Sequence, residues 1–340
     1  MASPGDPGSA DDAGNTDDAG DTTPPERQDA QRRRAAQVAA ARERFIALSR
    51  RRSREIDLAE AALLVAAEEF PHVDVPRYLG MLDRLAERVR TRLHAAATLR
   101  SAGAHPDPDA AALAALHGVL FDEEGFTGAS GVWEHEDYFL SGGLDHKRGL
   151  PIVLSVIYCE VARRAGLHAV GIALPQRFMV QFRGEHTSVL VDPFEGGRRL
   201  PPDERPMGIA QDRLPVASNK QILARMLQNM KLLYVQSQPP QLMKALAAVE
   251  RILALMPTPD QVRDRGLLLR GLGTQTLERA KALQRSDPAA ADWAVQRAGH
   301  LHGLAWLELK LYTRAAEGAS EAGQIGEIAD QLWRQLGRNN

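Results

Sequence analysis

The chain has 340 residues, of which 44% are hydrophobic, and a formal net charge of −2. That length and apolar content allow a sizeable core in about two domains. A near-neutral charge argues against a dedicated nucleic-acid-binding protein, which usually carries a basic excess. A single cysteine excludes an intrachain disulfide framework, and the sequence has no apolar run of the roughly 18 residues that would predict a membrane span. We therefore expect a cytoplasmic protein with neither a membrane nor a nucleic-acid partner.

The N-terminal segment is predicted to be a disordered acidic tail over about residues 1–30, because it is rich in Ala, Gly, Asp, Pro and Thr. Arginines then reverse the charge between residues 32 and 54, beginning with Arg32, Arg33 and Arg34. Such a run could touch RNA or an acidic partner, or it could form the solvated face of a helix. Both interpretations stay open at this point.

Residues 31–105 are predicted to form an N-terminal helical region. Apolar residues recur at helical spacing from Ile56, with Asp57 as the expected N-cap, and the segment 70–75 ends that helix. A second helix follows from Tyr78. After a loop at 103–108, a helix from Asp109 to about residue 120 leads into a Gly-Phe turn.

The pattern changes in the centre of the chain, where an α+β core is expected at 106–205. Pro151 opens an apolar helix, Arg163 and Arg164 charge its last turn favourably, and Gly166 ends it. Strand-like stretches follow at 169–174, 178–182 and 188–191. This order predicts a helix lying against an antiparallel sheet.

A Pro-rich connector runs from residue 201 to about 215, and an all-α region is predicted at 218–340. Its apolar residues recur at helical spacing around 222–234, 245–255, 293–311 and 325–336. The first pair has the size of a tetratricopeptide (TPR) unit, about 34 residues, although the full TPR signature is absent. About three repeats are needed for an independent solenoid, so the region is expected to pack against the core.

Several motifs in this order resemble the transglutaminase-like fold, and in particular its bacterial SirB-type branch with a TPR-like C-terminal region. They are LFDEEGFTG at 120–128, RGLPI at 148–152 followed by Leu154 and Ser155, VARRAGL at 161–167 and VDPF at 191–194. The resemblance implies a core of cysteine-protease type with flanking helices. Asp137 and Ala129 stand where the family usually has Asn, which departs from its polar pattern.

In active members, the resemblance implies a Cys nucleophile at a helix N-terminus, a His that shuttles the proton and an Asp that orients the His. The nucleophile position falls near Pro151 to Val153, where this chain has no Cys, and the His position is occupied by Arg177. Arg177 cannot act as a general base near neutral pH. Asp192 fits either the Asp of the triad or an Asx-turn before Pro193. An ion pair between Arg177 and Asp192 is a further expectation.

The single cysteine, Cys159, lies about two turns further along the same helix among apolar neighbours. We expect it to be a small core residue, since free cysteines are commonly buried. The alternative is a cysteine-dependent amide hydrolase or transglutaminase-like enzyme in which Cys159 works with His146 or His186. Ser155 is the nearest hydroxyl to the helix start, but no base accompanies it in the sequence.

No cofactor or metal site is predicted. Glu134, His135 and Glu136 could ligate a cation, and His300 and His302 are close in sequence, but a spacing of two places helical side chains on different faces. The glycine pairs at 142–143 and 196–197 lack the Lys and Ser/Thr of a phosphate-binding loop. We therefore expect a non-catalytic, regulatory protein that binds a protein or peptide partner through its C-terminal helices.

Overall fold

The computed structural model describes residues 25–101, 107–174, 177–201, 214–316 and 318–338. Residues 1–24, most of the segment expected to be a disordered tail, lie outside the described residues. Helix α1 (Pro25–Ser49) begins before the boundary expected near residue 30. Favourable helix formers among Glu, Arg, Gln and Ala extend the helix N-terminally without any buried face, since residues 27–37 are exposed on all sides.

The N-terminal helical region consists of α1, α2 (Leu58–Glu69) and α3 (Val75–Ser101). The predicted N-cap is confirmed, because the Asp57 carboxylate accepts a hydrogen bond from the backbone N–H of Glu60 at 2.9 Å. Helix α2 is apolar on nearly every face and is buried over most of its length. It therefore forms the centre of the N-terminal packing.

The central part begins with α4 (Pro108–His117), which passes directly into a π-helical turn (Gly118–Glu123). Two short strands, β1 (Thr127–Gly128) and β2 (Arg148–Gly149), pair in parallel around α5 (Leu140–His146). Helix α6 (Pro151–Arg164) then begins at Pro151 and is followed by Gly166 with φ +80°, as the sequence predicts.

A four-stranded antiparallel sheet follows α6 in the order β3 (His168–Leu174), β4 (Arg177–Arg183), β5 (Ser188–Asp192) and β6 (Arg198–Leu200). The first three strands confirm the predicted stretches, whereas β6 was not predicted. Helix α6 packs against β3 and β4. Leu214 joins the apolar cluster on the opposite face, and Val216 forms an antiparallel bridge to Ile172. Burial on both faces explains why β4 reads as a continuous apolar run rather than an alternating one.

The described residues after 218 form helices only: α7 (Asn219–Gln236), α8 (Leu242–Leu255), α9 (Pro259–Leu283), α10 (Pro288–Ala315) and α11 (Ala322–Arg338). Helices α7 and α8 pair with each other, and α10 packs on α9 and α11. With 25 and 28 residues, α9 and α10 exceed the helices of a TPR unit of about 34 residues.

The C-terminal helices share one apolar core with the rest of the chain. Met226 and Leu227 of α7 belong to the same buried cluster as Leu63 of α2 and Val156 of α6. The prediction that this region packs against the core is therefore confirmed. Within the described ranges, no helix combines the length and the apolar character that crossing a bilayer requires.

Candidate functional site

Three of the sequence motifs meet at the start of α6. Strand β1 carries the end of the Gly-Phe-Thr-Gly turn and pairs with β2, which carries the start of the Arg-Gly-Leu-Pro motif. Gly128 packs against Phe194 of the Val-Asp-Pro-Phe motif so closely that a Cβ there would lie 2.6 Å from the Phe194 carbonyl oxygen. Only glycine fits at this contact, so the motifs describe a single packed junction rather than separate turns.

An ion pair with a buried carboxylate holds this junction in place. Arg148 donates two hydrogen bonds of 2.8 Å to the Asp137 carboxylate. Asp137 also accepts from the Glu134 N–H, and its backbone oxygen accepts from the Leu150 N–H at 3.0 Å. Burial opposes ionisation of Asp137, but the hydrogen bonds from Arg148 outweigh it and lower the pKa. Asp137, which stands where the family usually has Asn, is thus the ion-pair partner of Arg148 in the Arg-Gly-Leu-Pro motif.

The N-terminus of α6, where the resemblance places a nucleophile, carries no thiol or hydroxyl. Leu150 is the N-cap and provides no side-chain hydrogen bond, Pro151 follows, and Ile152 and Val153 are buried. The helix start opens to a cavity of about 210 Å³ lined by Trp133, Tyr138, Leu150, Pro151, Ile152, Phe178, Arg225, Asn229, Leu232, Leu233 and Gln236. Helix α7 therefore forms one wall of the cavity at the expected catalytic position.

Arg177 and Asp192 lie together where the resemblance places the His and Asp of a triad. The Nη2 atom of Arg177 lies 3.7 Å from Oδ2 of Asp192, which confirms the expected ion pair. The same nitrogen donates a shorter hydrogen bond, 2.9 Å, to Glu195. Sequence reasoning missed Glu195, although its position three residues after Asp192 in a turn was a usable signal. Arg198 also donates to Glu195 at 2.9 Å, so two guanidinium groups share this carboxylate.

The second interpretation of Asp192, an Asx-turn, is confirmed as well. Asp192 Oδ1 accepts a hydrogen bond of 3.0 Å from the Phe194 N–H, two residues further on. Asp192 is buried, and this desolvation raises its pKa despite that hydrogen bond and the nearby Arg177. Its carboxylate shapes the turn and contacts Arg177 at the same time.

Cys159 differs in part from the expectation of a core residue. It is only partly buried and lines a cavity of about 330 Å³ together with Glu160, Arg163 and Asp57. Burial of the sulfur, and secondarily the adjacent Glu160 charge, raises the pKa of the Cys159 thiol well above its usual range. The thiol therefore lies at a cleft but is held in its neutral form.

The alternative catalytic groups are not assembled around this cysteine. No hydrogen bond joins Cys159 to His146 or His186, all three of which the structure describes. His146 ends α5, whereas His186 lies in the β4–β5 turn with its side chain 75% exposed. Ser155 Oγ donates to the Pro151 carbonyl oxygen at 2.7 Å, which is a bond within its own helix.

A contact that the sequence did not reveal joins the end of α4 to α6. His117 Nε2 is 3.1 Å from the hydroxyl of the fully buried Tyr158, and the Phe121 ring packs against both. Burial, and then the charge of Arg199, lowers the pKa of His117 to about 4. A neutral imidazole in a closed aromatic cluster is suited to packing.

The structure does not bring the considered metal ligands together. His135 Nε2 lies 3.3 Å from Glu69, and His302 is buried between α9 and α10 while His300 is exposed. Across the described ranges, no cluster of three or more His, Cys, Asp or Glu side chains has the arrangement to hold a metal ion.

The helix, sheet and converging motifs define a transglutaminase-like protein, and a family model described as the transglutaminase-like superfamily matches residues 76–228. Among curated proteins, UPF0162 proteins from two strains of Xylella fastidiosa are 30% identical over 238 residues, covering 64% of this chain and 79% of each relative. A UPF0162 protein from Pseudomonas aeruginosa is 29% identical over 219 residues, covering 59% of this chain and 72% of the relative. The chain therefore belongs to the UPF0162 family. No solved structure matches it.

Proposed function

We propose that this chain is a non-catalytic transglutaminase-like protein of SirB type that acts in the cytoplasm as a regulator, by binding another protein through its TPR-like C-terminal helices. One observation carries the proposal: Arg177, which stands where the resemblance places the catalytic base, is ion-paired with Glu195 and Asp192. A guanidinium keeps its proton at neutral pH and cannot accept another. Pro151, Arg177 and Asp192 are then the vestige of a triad.

The start of α6 supports the loss of catalysis. In a cysteine hydrolase the helix N-terminus stabilises the thiolate, but here Pro151, Ile152 and Val153 fill those positions. Nucleophile and base act as a unit, so losing both leaves only substrate binding and oxyanion stabilisation. We therefore expect the rate of amide hydrolysis to be several orders of magnitude below that of an active cysteine hydrolase.

The C-terminal helices support a binding role because they expose large apolar side chains. Met243 of α8 and Trp293 of α10 are 58% and 59% exposed, and three leucines of α10 are also exposed. Exposed apolar surface concentrated on one region is typical of protein interaction sites. Tryptophan in particular contributes strongly to such interfaces.

One observation favours the alternative, a Cys159-dependent amide hydrolase. Cys159 does line a cavity, and Glu160 and Arg163 stand beside it. The raised pKa of the thiol and the absence of a hydrogen-bonded histidine weigh against this alternative, because thiolate and base are what the chemistry needs.

The test compares full-length wild type with Leu307→Glu in α10 and with Leu99→Glu in α3, a matched exposed leucine outside the C-terminal helices. In cross-linked extracts of the native host, we expect the same partner with wild type and Leu99→Glu and its loss with Leu307→Glu. Model amides and thioesters should be hydrolysed no faster than in buffer. Amide hydrolysis that Cys159→Ala abolishes while circular dichroism stays unchanged would instead establish the alternative.

A further inference from the structure

Helix α10 carries an exposed stripe with heptad spacing. Steps of four and three residues connect its members, so they share one face of the helix: Trp293, Arg297, His300, Leu304, Leu307 and Leu311. Trp293 is 59% exposed, and the three leucines are 39%, 48% and 47% exposed. We call this set the α10 seam. A 3.5-residue repeat of apolar positions is the pattern with which one helix packs along another.

The seam borders a cavity of about 450 Å³ between α8, α9 and α10. Trp293 and Arg297 belong both to the seam and to the lining of the cavity. Leu246 of α8 and Leu272 of α9 form the apolar bottom of the cavity. From Trp293 to Leu311 the seam extends about 27 Å at 1.5 Å per residue. A helical segment of about five turns would cover it.

The charged side chains that line the cavity have one sign. Arg279 and Arg297 line the cavity, and its lining residues include no carboxylate. Arg297 lies over the Trp293 ring, 5.2 Å from its centroid, and Arg314 is exposed one turn beyond Leu311. Among the described residues, Arg279, Arg297 and Arg314 make no ion pair.

Three other arginines of the same region are paired with carboxylates. Arg251 contacts Glu68, Arg263 lies 2.9 Å from Asp264, and Arg265 lies 2.5 Å from Glu308. Each of these three guanidinium groups thus has a carboxylate partner where C-terminal helices contact each other or the core. Along the seam, the complementary carboxylates are left for a binding partner to supply.

We propose that the α10 seam and its adjoining cavity bind an acidic amphipathic helix of another protein, an inference that rests on the proposed function and specifies its partner. A helix is favoured over an extended strand because α9 and α10 satisfy their own backbone hydrogen bonds and offer no sheet edge. The partner's leucine-type side chains would cover the apolar positions. Its Asp and Glu side chains would face Arg279, Arg297 and Arg314.

Two other occupants fit less well. A second copy of this chain would bring the unpaired arginines of two seams together, and like charges in an interface oppose binding. The N-terminal residues 1–24 carry six Asp and no Lys or Arg, but they contain no large apolar side chain besides Met1. They could meet the arginines but could not cover the leucines.

The experiment selects binders from a displayed library of random 20-residue peptides against the immobilised full-length chain. Enriched peptides are synthesised and titrated by fluorescence anisotropy against wild type, Leu307→Glu, Arg297→Glu and the control Leu99→Glu. We expect peptides with a negative net charge and apolar residues at steps of three and four. Leu307→Glu and Arg297→Glu should each raise Kd at least tenfold, with Leu99→Glu unchanged. Replacing Glu by Lys in the peptide should weaken binding to wild type at least tenfold and restore part of the binding to Arg297→Glu.

The outcomes separate the two proposals. Peptides that depend on Leu307 but are neutral or basic would overturn the acidic partner and leave the proposed function standing. A library without any Leu307-dependent peptide would overturn both. Sedimentation that shows a wild-type dimer and a Leu307→Glu monomer would assign the seam to a second copy, and tighter peptide binding after removal of residues 1–24 would assign it to the chain's own tail. Each of these last two results would overturn the acidic helix of another protein.

Discussion

At the residue scale, a few charged side chains fix the junction at which the sequence motifs converge. Arg177 and Asp192 meet across neighbouring strands, and the Arg177 guanidinium, which stays protonated near neutral pH, has Glu195 as its closer partner. Asp137 likewise binds Arg148 and fixes the start of α6. These side chains stabilise turns and the start of a helix, so together they form a structural junction.

The Cys159 thiol should react slowly in the folded protein. Burial raises its pKa, so at pH 8 the thiolate fraction is far below that of a free cysteine with a pKa of about 8.5. We expect alkylation by iodoacetamide at least ten times slower than in denaturant, with a rate that still increases above pH 9. The measurement is mass spectrometry at timed intervals. A native rate equal to that of the unfolded chain would contradict the raised pKa.

At the element scale, side-chain to backbone contacts join elements that are distant in sequence. Asp109 in the first turn of α4 accepts hydrogen bonds from the backbone N–H groups of His186, Glu185 and Thr187 in the β4–β5 turn. Gly184 lies against the same carboxylate, where a Cβ would come within 2.2 Å of its carbon. One aspartate thus fixes the hairpin onto α4.

Asp109→Asn should lower the melting temperature in a pH-dependent way. The N–H groups, that of His186 foremost, lower the pKa of Asp109 from 3.8 to about 2. A depressed carboxyl pKa contributes stability above the unfolded-state pKa, which is lost as the pH falls from about 4 to 2. The difference in melting temperature between wild type and Asp109→Asn should therefore be full at pH 7 and shrink below pH 4.

The control for Asp109 is Glu185→Gln, in the same turn but with its side chain 80% exposed. It should leave the melting temperature unchanged. A difference for Asp109→Asn that is as large at pH 2 as at pH 7 would show that its ionised carboxylate is not what fixes the hairpin.

The α9–α10 hairpin offers a second test at this scale, because two glycines in it have opposite surroundings. At Gly303 of α10 an added Cβ meets no atom within 4 Å, whereas at Gly273 of α9 it would lie 2.3 Å from the buried His302 ring. Gly303→Ala should stabilise by about 0.5–1 kcal/mol through helix propensity. Gly273→Ala should destabilise by about 1–3 kcal/mol through overpacking. Urea unfolding measures both, and equal signs would contradict the packing of α9 on α10.

At the scale of the whole molecule, the C-terminal helices complete the core. Asn219 Nδ2 donates to the Ile56 carbonyl oxygen at 2.9 Å, and the Tyr234 hydroxyl donates to Glu69 at 3.0 Å. Arg251 of α8 contacts Glu68 in a largely buried ion pair. The N-terminal and C-terminal helices are therefore fastened to each other as well as to the central α+β part.

A chain that ends at residue 217 should not fold cooperatively. It loses the buried side chains of Met226, Leu227, Met230 and Tyr234, and at about 1.5–3 kcal/mol each this amounts to about 6–12 kcal/mol. That loss is comparable to the total stability of a typical domain, about 5–15 kcal/mol. We expect binding of the dye ANS and a weak near-ultraviolet circular dichroism signal. A chain ending at Ala316, which removes only α11, should retain the cooperative transition. Full-length-like melting of the 217-residue chain would contradict this shared core.

The sequence by itself determined most of the long helices, three strands of the antiparallel sheet and the departures from the family pattern. The proline at the start of α6, the glycine after its end and the Asp57 cap act locally, so the sequence alone predicts the helix ends that they set. Residue identity alone likewise shows that Arg177 is no base. Tertiary structure decided what depends on contacts between distant segments. It placed Glu195 closer to Arg177 than Asp192, bonded Asp109 to the β4–β5 turn, and located Cys159 at a cleft. It also decided which apolar face of α10 remains exposed, because periodicity identifies an apolar stripe but only the packing of neighbouring helices determines whether it is covered.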